Sequence, residues 1–197
     1  MSAKSKILQM LILFAAIIIL AITPLGYLRV SDVLELTFIG VPVIVGAVLL
    51  DPICGGILGL AFGISSFLLV PENPLYGMFY EDHKALFFMA CVIPRVLTGV
   101  FAGISSRILS KYDRAGYLNY ITSSLIGCIT NSIAFCALLY YLMVEPIIDA
   151  TDMTVEAFKE MVFDIFAANA FLECLACALL VTLITQAINA YRKGALE

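Results

Sequence analysis

Four polar side chains lie within long apolar stretches of this sequence: Arg95, Asn131, Asn169 and Glu173. Arg95 is the only charged residue between Lys84 and Arg107. An arginine near the middle of a membrane-spanning helix costs roughly 2.5–3.5 kcal/mol on insertion scales, so such a residue faces a bundle interior, a partner or a ligand. Its planar fork of five N–H donors suits a carboxylate, while an asparagine amide can bond amide or hydroxyl groups. Two arrangements follow. Either Arg95 holds an anionic group of a ligand while Asn131 and Asn169 bond its other polar groups, or Arg95 pairs with Glu173 in a closed internal network. Asn169 and Glu173 are four residues apart and share a helix face.

The chemistry these residues support is recognition rather than catalysis. His83 is the single histidine and falls in a loop, which leaves no His cluster for a catalytic metal or a His-based triad. Gly63-Ile64-Ser65-Ser66-Phe67 falls short of the G-x-S-x-G nucleophile elbow. The six cysteines, at 54, 91, 128, 136, 174 and 177, all sit in apolar segments and read as small core residues. Cys174-x-x-Cys177 has metal or redox spacing but no second cysteine pair or nearby histidine. No metal and no cofactor is expected.

The elements that must position these groups are membrane helices. Of the 197 residues, 62% are hydrophobic and 13% charged, against about 45–50% apolar and about 25% charged in an average soluble domain. The expected fold is an all-α integral membrane protein, a compact bundle of six transmembrane helices, with residues 1–197 forming one transmembrane substrate-binding domain. Net charge is −4, and without a basic stripe nucleic acid is not an expected partner. The first span runs from Ile7 to Ile22 after Lys4 and Lys6. Thr23-Pro24-Leu25-Gly26 ends it, and a polar loop through Glu35 follows. A second, irregular span reaches Leu50, Asp51-Pro52 turns the chain, and the third covers Ile53–Val70. There Gly55, Gly59 and Gly63 recur every four residues, a smooth stripe for a neighbouring helix. The 71–84 loop is long enough to be a lid. Its Tyr76, Phe79 and Tyr80 either cover a ligand or sit in an interfacial aromatic belt. The fourth span, Ala85–Leu109, carries Pro94 beside Arg95, and its Gly99 and Gly103 suit either internal packing or a partner-facing surface. The fifth runs from Leu118 to Met143. After an acidic linker, 144–160, in which Thr154 and Glu156 can start the next helix, the sixth span extends to about Tyr191.

The positive-inside rule places both termini in the cytoplasm. Lys4, Lys6, Arg107, Lys111, Arg114, Arg192 and Lys193 then lie inside, against Arg29, Lys84 and Lys159 outside. The loops at 23–36, 71–84 and 144–160 share the outer face. At about 1.5 Å rise per residue, Arg95, Asn131, Asn169 and Glu173 all lie roughly 12–18 Å below that face, so the four could meet. A few convergent polar groups in an apolar wall are what a small-molecule site requires.

From Thr37 to Phe67 the chain resembles the substrate-binding S components of energy-coupling-factor (ECF) vitamin transporters. Thr23-Pro24-Leu25-Gly26, Pro94-Arg95-Val96-Leu97 with Gly99, Thr130-Asn131-Ser132, and Asn169 with Glu173 look most like the pantothenate-type branch. The resemblance covers nearly all of the chain. It implies a cell-membrane subunit of an ABC-type importer that captures a vitamin or small precursor from outside, docks on a membrane coupling subunit with two cytosolic ATPase subunits, and reorients to release it. Substrate binding is expected at Arg95, Asn131, Asn169 and Glu173, with Tyr76 and Tyr80 of the 71–84 loop over them. The chain has no G-x-x-x-x-G-K-[ST] phosphate loop, as a subunit that leaves ATP hydrolysis to partners should not. The family often uses Ala-x-x-x-Ala in the first helix for docking, a spacing that Ala15, Ala16 and Ala21 do not give. Three alternatives stand beside this reading: an S component for a neutral or zwitterionic vitamin, a structural membrane scaffold whose polar groups are internal glue, and a membrane-embedded enzyme.

Overall fold

A computed structural model describes residues 3–29, 35–72, 77, 80–113, 116–151 and 153–194. The described residues form six α-helices: α1 (Ala3–Ala21), α2 (Gly40–Leu49), α3 (Pro52–Leu69), α4 (Lys84–Leu109), α5 (Tyr117–Thr151) and α6 (Val155–Gly194). Five contain stretches long and apolar enough to cross a membrane, and α2 is the short one. The all-α membrane bundle expected from composition is therefore present, with one addition. Between α1 and α2 the chain forms an antiparallel hairpin, β1 (Tyr27–Arg29) with β2 (Glu35–Thr37), where the sequence reading placed only a polar loop.

The hairpin and the short helix have one cause. Ten residues of α2 rise only about 15 Å, half of a hydrocarbon core about 30 Å thick. The described residues between Ala21 and Gly40 form the hairpin that precedes it. Irregular backbone at membrane depth is tolerated only where its polar groups are met by protein. Here the strands pair Tyr27 with Thr37 and Leu28 with Leu36, Phe38 N–H donates to Gly26 O at 3.0 Å, and Gly26 N–H donates to Thr23 O at 3.1 Å. Gly26 itself has no room for a side chain, since a Cβ there would lie 2.2 Å from Leu20 O.

The tightest seam joins α3 to α4. A Cβ on Gly59 would fall 2.2 Å from Arg95 O, one on Gly99 would fall 2.0 Å from Gly55 O, and one on Gly103 would fall 2.5 Å from Pro52 Cα. Gly55 meets Gly99 and Gly59 meets Arg95 backbone to backbone, and Gly103 lies against Pro52, so Gly99 and Gly103 serve internal packing and are not a partner-facing surface. Opposite this seam, Ile53, Ile57, Leu60, Ile64 and Leu68 make an exposed apolar stripe on α3. In a membrane span such a stripe is the lipid face.

Asp51 closes the α2–α3 turn as an N-cap. It accepts a hydrogen bond from Cys54 N–H at 2.8 Å, and Pro52 takes the first helical position, where a missing N–H costs nothing. Burial pushes the Asp51 carboxyl up. Hydrogen bonds from Lys6 and from the Cys54 backbone outweigh that and bring it from the usual 3.8 down to about 2. Arg192 Nη2 donates to Gln9 Oε1, and Asn189 Nδ2 donates to the Tyr120 hydroxyl at 2.8 Å. These contacts gather the start of α1, the α2–α3 turn, the α4–α5 connection and the end of α6 at one end of the bundle. The ends of α3 and α5, the starts of α4 and α6, and β1 with β2 lie at the other.

The acidic stretch 144–160 is mostly helix rather than linker, since α5 continues to Thr151 and α6 starts at Val155. Thr154 caps α6 as expected, its hydroxyl accepting from Ala157 N–H at 3.2 Å. The two helices extend because their facing residues pack: Leu139, Phe158 and Val162 form a buried cluster with Phe87 and Val70, and the Tyr140 ring stacks on Phe158.

Candidate functional site

A cavity of about 640 Å3 opens at the hairpin end of the bundle, within the usual range of small-molecule sites, about 300–1,000 Å3. Its walls come from the end of α1 and the following turn (Ile22, Thr23, Pro24), from β1 (Tyr27), from the end of α3 (Ser66, Leu69), from α4 (Phe87, Cys91, Arg95) and from α5 (Phe135, Leu139). Glu72, exposed beyond α3, stands at the mouth. The wall is largely apolar with a few polar groups at different depths, the usual composition of a ligand site.

Arg95 forms the floor, and Pro94 explains how it is held. A proline inside a helix has no N–H for the carbonyl four residues back. Here that carbonyl belongs to Ala90, and Arg95 Nη1 donates to it at 3.3 Å. The guanidinium lies between two aromatic rings, 5.3 Å from the centroid of Phe62 on α3 and 4.9 Å from that of Phe135 on α5. Such cation–π contacts hold a charge in an apolar wall without neutralising it. Arg95 Nε is buried and has no hydrogen-bond partner. Among the described residues Arg95 makes no ion pair.

Glu173, the expected alternative partner, is engaged elsewhere. Its Oε1 accepts from Thr37 N–H at 2.9 Å and so ties β2 to α6. It does not line the cavity, and among the described residues it makes no ion pair with Arg95. Asn131 lies on α5 one turn from Phe135, on the same face, and its buried Oδ1 has no partner. It too is outside the cavity wall. The backbone of Asn169 belongs to α6. Cys128 Sγ lies 4.0 Å from Glu173 O and Cys136 Sγ 4.0 Å from Val162 O, a register that brings position 169 level with Asn131. The side chain of Asn169 is outside the described residues, as are Tyr76 and Phe79. Tyr80 packs behind the wall, its ring 5.5 Å from Phe67 and 6.1 Å from Phe87, with Lys84 Nζ 5.6 Å above it. Of the expected site residues, the structure places Arg95 in the cavity wall and Asn131, Glu173 and Tyr80 outside it.

Sequence reasoning missed Tyr27, Ser66, Phe62 and Phe135. The Tyr27 hydroxyl and Ser66 Oγ share a hydrogen bond at 2.9 Å across the cavity wall. Tyr27 and Ser66 are 39 positions apart, and nothing local in the sequence joins them. Phe135 did carry a signal, standing one helical turn from Asn131.

A family model described as the substrate-specific component of the ECF transporter matches residues 6–186. No curated protein matches the chain. That match reaches all six helices and includes every residue that lines the cavity, so the chain belongs to the family of ECF transporter substrate-specific components.

Proposed function

We propose that this protein, as one transmembrane domain, binds an anionic vitamin or vitamin precursor, with pantothenate the best fit. It takes the ligand from the outer face and passes it inward with an ECF module of a membrane coupling subunit and two cytosolic ATPase subunits. The observation that carries the substrate reading is Arg95: a guanidinium at the floor of an apolar cavity, flanked by Phe62 and Phe135 and without a carboxylate partner among the described residues. A charge in so apolar a setting is costly unless an anion meets it. The Tyr27–Ser66 hydroxyl pair higher in the wall suits the polar groups of the same ligand. Family membership and the lack of a phosphate-loop motif support ATP hydrolysis by partner subunits. With the cytoplasmic termini that the basic residues favour, the cavity mouth faces the exterior.

Calorimetric titration of purified protein with pantothenate tests the reading. A charge-assisted hydrogen bond contributes about 1.5–3 kcal/mol, so Arg95→Ala should weaken binding by roughly tenfold to over a hundredfold. Arg95→Lys should recover only part, because an ammonium lacks the planar fork. An Arg95→Ala protein that binds the acid as tightly as the parent refutes the role of Arg95. Mass spectrometry of the small molecules released on heat denaturation identifies the ligand independently.

A further inference from the structure

Three of the six cysteines meet away from the cavity. Cys128 on α5 and Cys177 on α6 are buried in the apolar cluster that joins α2, α4, α5 and α6, and half-buried Cys174, one turn from Cys177, packs against it. Cys128 Sγ lies 4.0 Å from Glu173 O, and its thiol is within hydrogen-bonding reach of the thiols of both Cys174 and Cys177. None of the three lines the cavity. All are free thiols within the apolar spans Tyr117–Leu142 and Ala170–Arg192. No three side chains among the described residues are placed to hold a metal ion, and a set of thiolates would bring uncompensated charge into lipid. The chemistry open to neutral thiols in contact there is oxidation to a disulfide.

We propose that this cluster is a redox-sensitive staple, in which an organic hydroperoxide dissolved in the lipid oxidises Cys174 and Cys128 to a disulfide between α6 and α5. Cys174, the least buried of the three, meets the oxidant first. Its sulfur takes the terminal oxygen of the hydroperoxide, the O–O bond breaks, and the remainder leaves as an alcohol carrying the thiol proton. The Cys128 sulfur then displaces the hydroxyl of the Cys174 sulfenic acid, which departs with the Cys128 proton as water. Two thiols lose two electrons and two protons, and the hydroperoxide becomes an alcohol and water. Cys177, also within reach of Cys128, can take over the bond by thiol–disulfide exchange. The staple falls beside Gly127, where α5 meets Ala102 of α4 and Ile44 of α2, so it fixes a junction of four helices. It joins positions distant in the chain and restricts the unfolded state, so the oxidised protein should melt higher. None of this depends on which ligand the cavity holds.

The test uses the full chain carrying Cys54→Ala, Cys91→Ala and Cys136→Ala, reconstituted in lipid and treated with cumene hydroperoxide. Alkylation after denaturation should leave a single reactive thiol, and peptide mapping should join the Cys128 peptide to the α6 peptide. The melting temperature should rise by several degrees, and a thiol reductant should reverse all three changes. Adding Cys128→Ala should abolish both the cross-link and the rise. The proposal is overturned if the three thiols stay fully alkylatable, or if oxidation ends in sulfinic or sulfonic acid with no S–S bond. It is equally overturned if the bond joins Cys174 to Cys177 within α6, or if the cross-linked protein melts no higher than the reduced one. Should that background not fold, the same mapping on the unmodified chain decides, since only a bond from Cys128 to α6 supports the staple.

Discussion

Replacing Gly59 with alanine separates a packing argument from a propensity argument, because the two predict opposite signs. Alanine is about 1 kcal/mol better than glycine inside a helix, and in an open site Gly59→Ala would stabilise α3. The site is closed. A Cβ at Gly59 would lie 2.2 Å from Arg95 O, 2.8 Å from Arg95 C and 3.0 Å from Val96 Cα, all main-chain atoms of α4 that cannot rotate away. Non-bonded carbon contacts are comfortable only from about 3.5 Å, so α3 and α4 must part locally by about 1 Å. Overpacking of this kind costs about 1–3 kcal/mol, which exceeds the propensity gain over most of its range. The shift also carries Arg95 away from Phe62, whose ring lies 5.3 Å from the guanidinium, so ligand affinity should fall with stability. Thermal melts of detergent-solubilised protein measure the first effect and calorimetric titration the second. Gly40→Ala is the control, with nothing within 4 Å of the added methyl, and should melt at or above the parent. A Gly59→Ala protein that also melts at or above the parent would show that the helices do not touch there and would refute the packing account.

Asp51 gives a pH signature. Its carboxyl is held at about 2 against an ordinary 3.8, so its contribution is fully present above pH 4 and is lost as pH falls from about 4 towards 2. Asp51→Asn should melt below the parent at pH 6, with the gap closing across that acid window; a gap independent of pH would mean that the charge is not involved. Membrane orientation can be read from single cysteines in a cysteine-free background. Glu81→Cys should react with a membrane-impermeant thiol reagent on intact cells and Ser110→Cys only after lysis; the reverse pattern would invert the topology.

The sequence alone determined what depends on composition and short spacing. An apolar content of 62% can only be buried in lipid, and the long apolar runs mark the five long helices, although α5 runs on past the expected Met143 to Thr151. Repeats of glycine every fourth residue announce a seam wherever two helices meet, and a lone charge such as Arg95 is visible because its cost does not depend on what surrounds it. The tertiary structure decided the partners. Whether Arg95 meets Glu173 depends on which way side chains on three helices turn, and Thr37, in a hairpin that no periodicity predicts, takes the Glu173 carboxylate instead. The short α2 and the pairing of β1 with β2 are likewise tertiary outcomes, since nothing local in the sequence sets where those backbone groups find partners. That fold brings Tyr27 to Ser66 and closes the cavity over Arg95. Depth along a helix follows from counting residues, but the direction a side chain faces in a bundle is set by packing between helices distant in the chain.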